Sequence, residues 1–266
     1  MEAIKIAHIS DLHLRKDYFD SFFERELSQR IMPLDYFTWA LKEISKDSPD
    51  VIVMTGDLIH EGSEEDYRFL RGLLDKYVPD IKVIPALGNH DFKKAFYRGF
   101  LEKDEDGPYF AVEYIKNYRF IVIDTAVEGR GDGYFRGERA ELLFNELKTG
   151  YGEGTIILGH HPFKTDQGWY ITDCDADICE RLSETDVIAY LCGHAHFNES
   201  RQMGGFVQLV TESFDYGVET VKDEVIYTDV RGYSTVTAEG RDIRSHLHVL
   251  TPYEQVFKRF KLGEQV

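Results

Sequence analysis

The nine residues Val83–Asp91, VIPALGNHD, decide how the rest of this chain is read. A short apolar run, Val83-Ile84-Pro85-Ala86-Leu87, stops at Gly88 and is followed at once by Asn89, His90 and Asp91. Packing alone gives no reason to place an amide, an imidazole and a carboxylate together at the end of a buried strand. They make sense if an amide oxygen reaches a metal ion and a carboxylate orients an imidazole.

The same layout, an apolar strand and then polar residues, recurs along the chain. Ile4–Ile9 runs into Ser10-Asp11-Leu12-His13, and Val51–Met54 runs into Gly56-Asp57. Thr155–Leu158 leads to Gly159-His160-His161, and Val187–Leu191 leads to Gly193-His194-Ala195-His196. Any one of these is short enough to be a turn, since Gly and Asp are turn formers. Five of them, each directly after a strand, form a conjunction that chance does not supply. Together they offer Asp11, His13, Asp57, Asn89, His160, His194 and His196, all oxygen or nitrogen donors with no thiolate. Such a set suits Mn, Fe, Zn or Co better than an all-oxygen Ca or Mg cage.

Between the strands lie helical patterns. Phe37, Ala40, Leu41 and Ile44 share one face of a helix that Asp35 can cap, and residues 17–31 are expected to be helical. Ser63-x-x-Asp66 has the form of a capping box, with Tyr67, Leu70, Leu74 and Tyr77 on the face that follows. Further helices are expected after Asp91 to about residue 102, through Ala140, Leu143, Phe144 and Leu147, and near 174–183. Tyr109–Tyr114 and Arg119–Asp124 read as paired strands around Lys116-Asn117, and Phe206–Leu250 is mostly β. Apolar strands alternating with helices imply an α/β or α+β fold with parallel or mixed sheets and helices outside. The β-rich part from 206 to 266 is expected to complete a second sheet packed on the first. In such sheets ligands gather beyond the carboxyl ends of the strands, where all five motifs fall. With no repeat and no linker composition, a single domain over 1–266 is expected.

Composition narrows the function. The formal net charge is −17, which disfavours tight non-specific binding of nucleic acid because that rests on Lys and Arg neutralising phosphates. It leaves room for a small anionic substrate, since two bound cations reverse the sign locally. Three unpaired cysteines (Cys174, Cys179 and Cys192), no signal-like N-terminus and no apolar run of membrane-spanning length lead to the expectation of a cytoplasmic protein without a membrane role.

The series Asp-x-His, Gly-Asp, Gly-Asn-His-Asp, Gly-His and Gly-His-x-His resembles the calcineurin-like metallophosphoesterase superfamily over residues 6–196. That resemblance implies a four-layer fold of two packed mixed β-sheets flanked by helices. It implies one metal ion on Asp11, His13, Asp57 and His196, and a second on Asp57, Asn89, His160 and His194, with Asp57 bridging. Two cations about 3.5–4 Å apart activate a water for in-line attack on phosphorus and hold the charge that develops. His90 is left over, and it is assigned to leaving-group protonation with Asp91 fixing its ring.

Within the superfamily, Gly56-Asp57-Leu58-Ile59-His60-Glu61-Gly62 departs from the Gly-Asp-x-x-Asp-Arg-Gly of protein phosphatases. His60 stands where purple acid phosphatases carry a metal-binding Tyr, and the first-motif His13 is one they lack. With His160-His161-Pro162, the pattern looks most like class III cyclic nucleotide phosphodiesterases. A nuclease-type, phosphomonoesterase or pyrophosphatase member of the superfamily is the alternative, and a non-catalytic scaffold the remote one. The substrate expected is a small phosphodiester, with His161 and Arg130 as contacts and Trp169 and Tyr170 as candidates for stacking on a base. His8 is read as structural and Cys192 as a buried small apolar residue. His60 is read as lying behind the ligands or in solvent, and His246 and His248 as sharing the polar face of a strand. Phe257 and Phe260 are read as packing on their own domain, and a homo-oligomer is left open.

Overall fold

A computed structural model of the chain describes residues 2–18, 32–167, 171–251 and 254–261. The strands β1 (Ile4–Ile9), β2 (Val51–Thr55) and β3 (Lys82–Ala86) run parallel to one another and form three strands of a five-stranded sheet. The other two, β14 (Gly232–Glu239) and β15 (Asp242–Val249), pair antiparallel, giving the order β15-β14-β1-β2-β3. The second sheet has β4 (Ala111–Ile115), β5 (Tyr118–Val122), β7 (Gly154–Leu158), β9 (Val187–Cys192), β10 (Glu199–Gln202) and β11 (Val207–Val210), in the order β10-β11-β9-β7-β5-β4.

Alternating residues of each strand explain why both sheets bury both faces. Ile4, Ile6, Val51, Val53, Ile84 and Ala86 meet Phe120, Val122, Ile156, Leu158 and Leu191 in the core between the sheets. Their neighbours Ala7, Ile9, Ile52 and Met54 point the other way, onto α1 (Pro33–Asp47), α2 (Glu64–Tyr77) and α3 (Lys93–Gly99). On the far side, Ile121, Ile157, Tyr190 and Cys192 pack against α4 (Glu138–Glu146) and α5 (Ile178–Ser183). This is the expected four-layer arrangement of helices, two mixed sheets and helices. A strand buried on both faces needs no polar alternation, which is why the sequence reads as unbroken apolar runs.

Several local expectations are refined. The capping box of α2 is present, with Ser63 and Asp66 satisfying each other's backbone donors. Helix α1 starts at Pro33 after Met32, so Asp35 sits in the first turn rather than at the cap. The helix expected near 174–183 begins only at Ile178, because β8 (Thr172–Cys174) pairs with β6 (Gly133–Phe135). Residues after 206 are shared among three sheets: β11 joins the second, β14 and β15 extend the first, and β12 (Gly217–Val221), β13 (Glu224–Thr228) and β16 (Val256–Lys261) form a small third. Most of the stretch expected to be helical over 17–31, together with Trp169 and Tyr170, lies outside the described residues. Among the described residues no helix is long and apolar enough to cross a membrane.

Candidate metal centre

Because β1, β2, β3, β7 and β9 lie parallel within their sheets, the loops at their carboxyl ends collect at one edge of the packed pair. The sheets are also tied there: Ser10 bridges Ser213, and the amide of Phe214 donates to the carbonyl of Asp11 at 3.1 Å. At this edge Asp11, His13 and His196 present ligand atoms to one another, as do Asp11, Asp57 and His160. Nε2 of His196 lies 3.3 Å from Oδ1 of Asp11 and 3.3 Å from Nε2 of His13. Nδ1 of His194 lies 3.1 Å from Nε2 of His160. Oδ2 of Asp57 is 3.6 Å from His13 Nε2 and 3.3 Å from His160 Nε2, so it faces both groups.

Asp11, His13, Asp57, His194 and His196 all hold positive φ angles, between 43° and 68°. Non-glycine residues rarely adopt that region, and where they cluster the surrounding fold is imposing the conformation. Here it turns each side chain sharply off its strand end toward the common point. The preceding glycines serve the same purpose through close approach. A Cβ on Gly88 would sit 2.2 Å from Oδ1 of Asp57, and one on Gly193 would sit 2.4 Å from Oδ2 of Asp11.

The donor set fits cations. Nδ1 of His160 lies 2.8 Å from the Thr55 carbonyl and Nδ1 of His196 lies 2.9 Å from that of Tyr216. Donation to those carbonyls leaves each Nε2 lone pair free to face the site, the arrangement that orients imidazole ligands. Oδ1 of Asn89 is buried and has no hydrogen-bond partner among the described residues, although such an atom costs free energy when left unpaired. Burial alone would depress His160, yet the carboxylates of Asp57 and Asp11 push it up to about 9. Burial also opposes ionisation of Asp57, but His160, His90 and His13 hold it well below the usual carboxylate range.

His90 lies beside this cluster on the wall of a cavity of about 610 Å³ that also exposes His13, Asp57, Asn89, His194 and His196. Its ring stacks on His60 at 4.6 Å and meets His13 edge-on at 5.1 Å. Asp91 does not orient that ring. Its carboxylate accepts from the amides of Leu58, Ile59 and Gly88 and from the Tyr67 hydroxyl, at 2.6 to 3.1 Å. It therefore ties the loop after β3 to the loop after β2, and its effect on His90 passes through the backbone. The carboxylate near the His90 ring is Glu61, 3.4 Å from Nδ1.

Of the two expected substrate contacts, one lines the cavity and the other does not. His161 is fully buried, with Nδ1 2.8 Å from Oγ1 of Thr125 and its ring 4.3 Å from that of His194, and it does not line the cavity. Burial, with His194 and His160 nearby, holds it well below the ordinary histidine value. Arg130 does line the cavity, but its guanidinium is paired with Asp132. His8 is buried against Thr55 and Cys192 lies in the core, while His248 packs on Tyr233 and bonds Thr235. Phe257 and Phe260 pack on the third sheet.

His60 stands behind the cluster as expected, with Nδ1 3.0 Å from Nδ1 of His13. The motifs do not announce the Thr55 and Tyr216 carbonyls behind His160 and His196, or the Tyr67 hydroxyl on Asp91. A carbonyl carries no sequence signal, and Tyr67 reads only as one more apolar position on α2.

Known proteins share this geometry's sequence pattern and fold. A cAMP/cGMP dual specificity phosphodiesterase of Mycobacterium tuberculosis is 32% identical over 221 residues, 79% of this chain and 67% of the relative. A 3′,5′-cyclic adenosine monophosphate phosphodiesterase of Haemophilus influenzae is 27% identical over 218 residues, 78% of this chain and 75% of the relative. The purple acid phosphatase of yellow lupin (Lupinus luteus) seeds shares the fold, with a TM-score of 0.68 at 13% identity, over 98% of this chain and 54% of that one. The family model for calcineurin-like phosphoesterases matches residues 4–198, the span that carries every clustered histidine and carboxylate described above, and the chain belongs to that family of metal-dependent hydrolases.

Proposed function

We propose that this chain hydrolyses small phosphodiesters, with cyclic nucleotides as the first class to examine, at a two-metal centre. One ion would be held by Asp11, His13, Asp57 and His196, and the other by Asp57, Asn89, His160 and His194. The observation that carries this reading is the single oxygen of Asp57 that faces His13 on one side and His160 on the other. Two bound cations supply Lewis-acid activation of water and neutralise the phosphoryl oxygens. Mn, Fe, Zn and Co match a mixed imidazole, carboxylate and amide set.

The protein's own groups do the rest. Paired carbonyls fix the tautomers of His160 and His196, and the cavity holds the substrate against Asn89 and His90. His90, on the cavity wall, would give a proton to the departing alkoxide, a role worth roughly 10²–10⁴ in rate. The cyclic-nucleotide activities named for the two bacterial relatives favour a diester over a monoester. An acidic chain with sparse cysteine suits a reducing compartment such as the cytoplasm.

Chelator-stripped protein, resupplied with each metal in turn, should cleave an aryl phosphodiester in preference to its monoester. A strong monoester preference would move the reading to a phosphatase, and no turnover with any metal would leave a scaffold. His90→Ala should retain both ions and lose turnover by about 10²-fold or more. Unchanged turnover would remove His90 from the mechanism.

A further inference from the structure

Phe92 follows the Asn89-His90-Asp91 motif directly and occupies the N-cap position of α3, with φ −79° and ψ 112°. Ser, Thr, Asp or Asn is the residue type that stabilises such a position, because a side-chain oxygen can accept from the first free amides. Here the position holds a phenyl ring that is 40% exposed, and the ring lines the cavity of the metal centre. An exposed aromatic in place of a cap stabilises neither the helix nor the core.

Other aromatic groups line the same cavity. The ring of Tyr216 lies 4.7 Å from that of the proposed ligand His196, and the ring of Tyr227 lies 4.6 Å from Tyr216. A row of rings therefore runs from the metal centre to the third sheet, where Tyr227 and Val218, although largely buried, still form part of the cavity wall. Charge on the remaining wall is not suited to a second phosphate. Glu61 and Glu128 are carboxylates, and Arg130 is paired with Asp132. A phosphodiester anchored at the metals must project an ester group into this outer region. The lining there favours a group that is planar and uncharged over one that is anionic.

We propose that Phe92, with Tyr216, Val218 and Tyr227, forms a subsite for the planar heteroaromatic base of the substrate, and that Phe92 sets the preference for base-bearing phosphodiesters over ringless ones. This rests on the phosphodiesterase reading above, which places the phosphoryl group at the metals.

The test is calorimetric binding of adenosine 5′-monophosphate and of ribose 5-phosphate to metal-loaded protein, which requires no turnover. Wild type should bind the nucleotide roughly tenfold more tightly or better, the scale of one base stacked on an aromatic ring. Phe92→Ser should remove most of that difference and leave ribose 5-phosphate binding unchanged, and Phe92→Tyr should restore it. Serine suits the cap, so the fold should survive, and Phe92→Leu gives a second variant that keeps bulk without the ring. Equal binding of the two ligands by wild type, or equal weakening of both by Phe92→Ser, would overturn the subsite. A base preference in a protein that cleaves no diester would refute the phosphodiesterase reading and leave the subsite standing. Diester cleavage without a base preference would do the reverse.

Discussion

Oδ2 of Asp57 lies 3.3 Å from Nε2 of His160, while Oδ1 of the same carboxylate accepts the backbone amide of His90 at 2.9 Å. One oxygen is thus given to the ligand cluster and the other fixes the carboxylate's orientation. Since Oδ2 also faces His13, Asp57→Ala should lose both ions, whereas Asn89→Ala should lose chiefly the one shared with His160 and His194. Metal content of purified variants, measured by mass spectrometry, checks this. Two full equivalents bound to Asp57→Ala would refute the shared carboxylate.

Asp91 is expected to act on stability more than its motif suggests. Removing its carboxylate strands three backbone amides and the Tyr67 hydroxyl in a buried site. Asp91→Ala should therefore destabilise the fold by about 3 kcal/mol, the upper end for hydrogen bonds to a charged group. Tyr67→Phe, which removes a single donor, should cost about 1–2 kcal/mol. Urea denaturation of the two single variants and the double variant would show coupling. Independent, additive effects would contradict a shared network.

Two glycines should respond in opposite directions to the same substitution. A Cβ on Gly193 would meet Ser10 Oγ at 1.8 Å and Asp11 Oδ2 at 2.4 Å, so Gly193→Ala should displace Asp11 and weaken metal binding at least tenfold. Gly72, inside α2, has nothing within 4 Å of its Cβ position. Gly72→Ala should stabilise the protein by about 0.5–1 kcal/mol through backbone entropy. Thermal unfolding and metal titration separate the two cases. Normal metal affinity in Gly193→Ala would show that the approach is not as close as described.

A pH dependence is expected from Glu212, which is buried beside the ligand-bearing edge. Burial pushes its carboxyl from 4.5 up to about 8, against the opposing pull of the Ser213 amide, His196 and Arg231. A raised folded-state value means a contribution to stability that is full below the unfolded value and lost as pH rises through about 8. Glu212→Gln mimics the protonated form, so its stability relative to wild type should grow between pH 5 and pH 8.5. Denaturation midpoints at those two pH values test the sign. A difference that stays flat or shrinks would contradict it.

Much of this molecule was legible in its sequence for a definite reason. A strand buried on both faces must be an apolar run, and the polar residues of the loop at its carboxyl end follow within a few positions, so both are read locally. That is why Asp11, His13, Asp57, Asn89, His160, His194 and His196 could be singled out as candidate ligands, together with the capping box that starts α2. The alternation that divides Val51 and Val53 from Ile52 and Met54 is not visible in such a run. Which face meets which layer was decided by packing.

What the tertiary structure alone decided are pairings between distant segments. Asp91 turned out to hold the Leu58-Ile59 backbone and Tyr67 instead of the neighbouring His90 ring, because a buried carboxylate is claimed by the donors that lack any other partner. His161 lost its expected place against substrate because its ring turns toward Thr125 and the core side of His194. Residues 232–249 joined the first sheet and 217–228 the third, since an apolar β pattern specifies a strand but not the edge it pairs with. The sequence by itself determined which side chains stand at the strand ends. The fold determined which of them face one another, because that depends on how two sheets stack and on backbone turns that no single segment prefers.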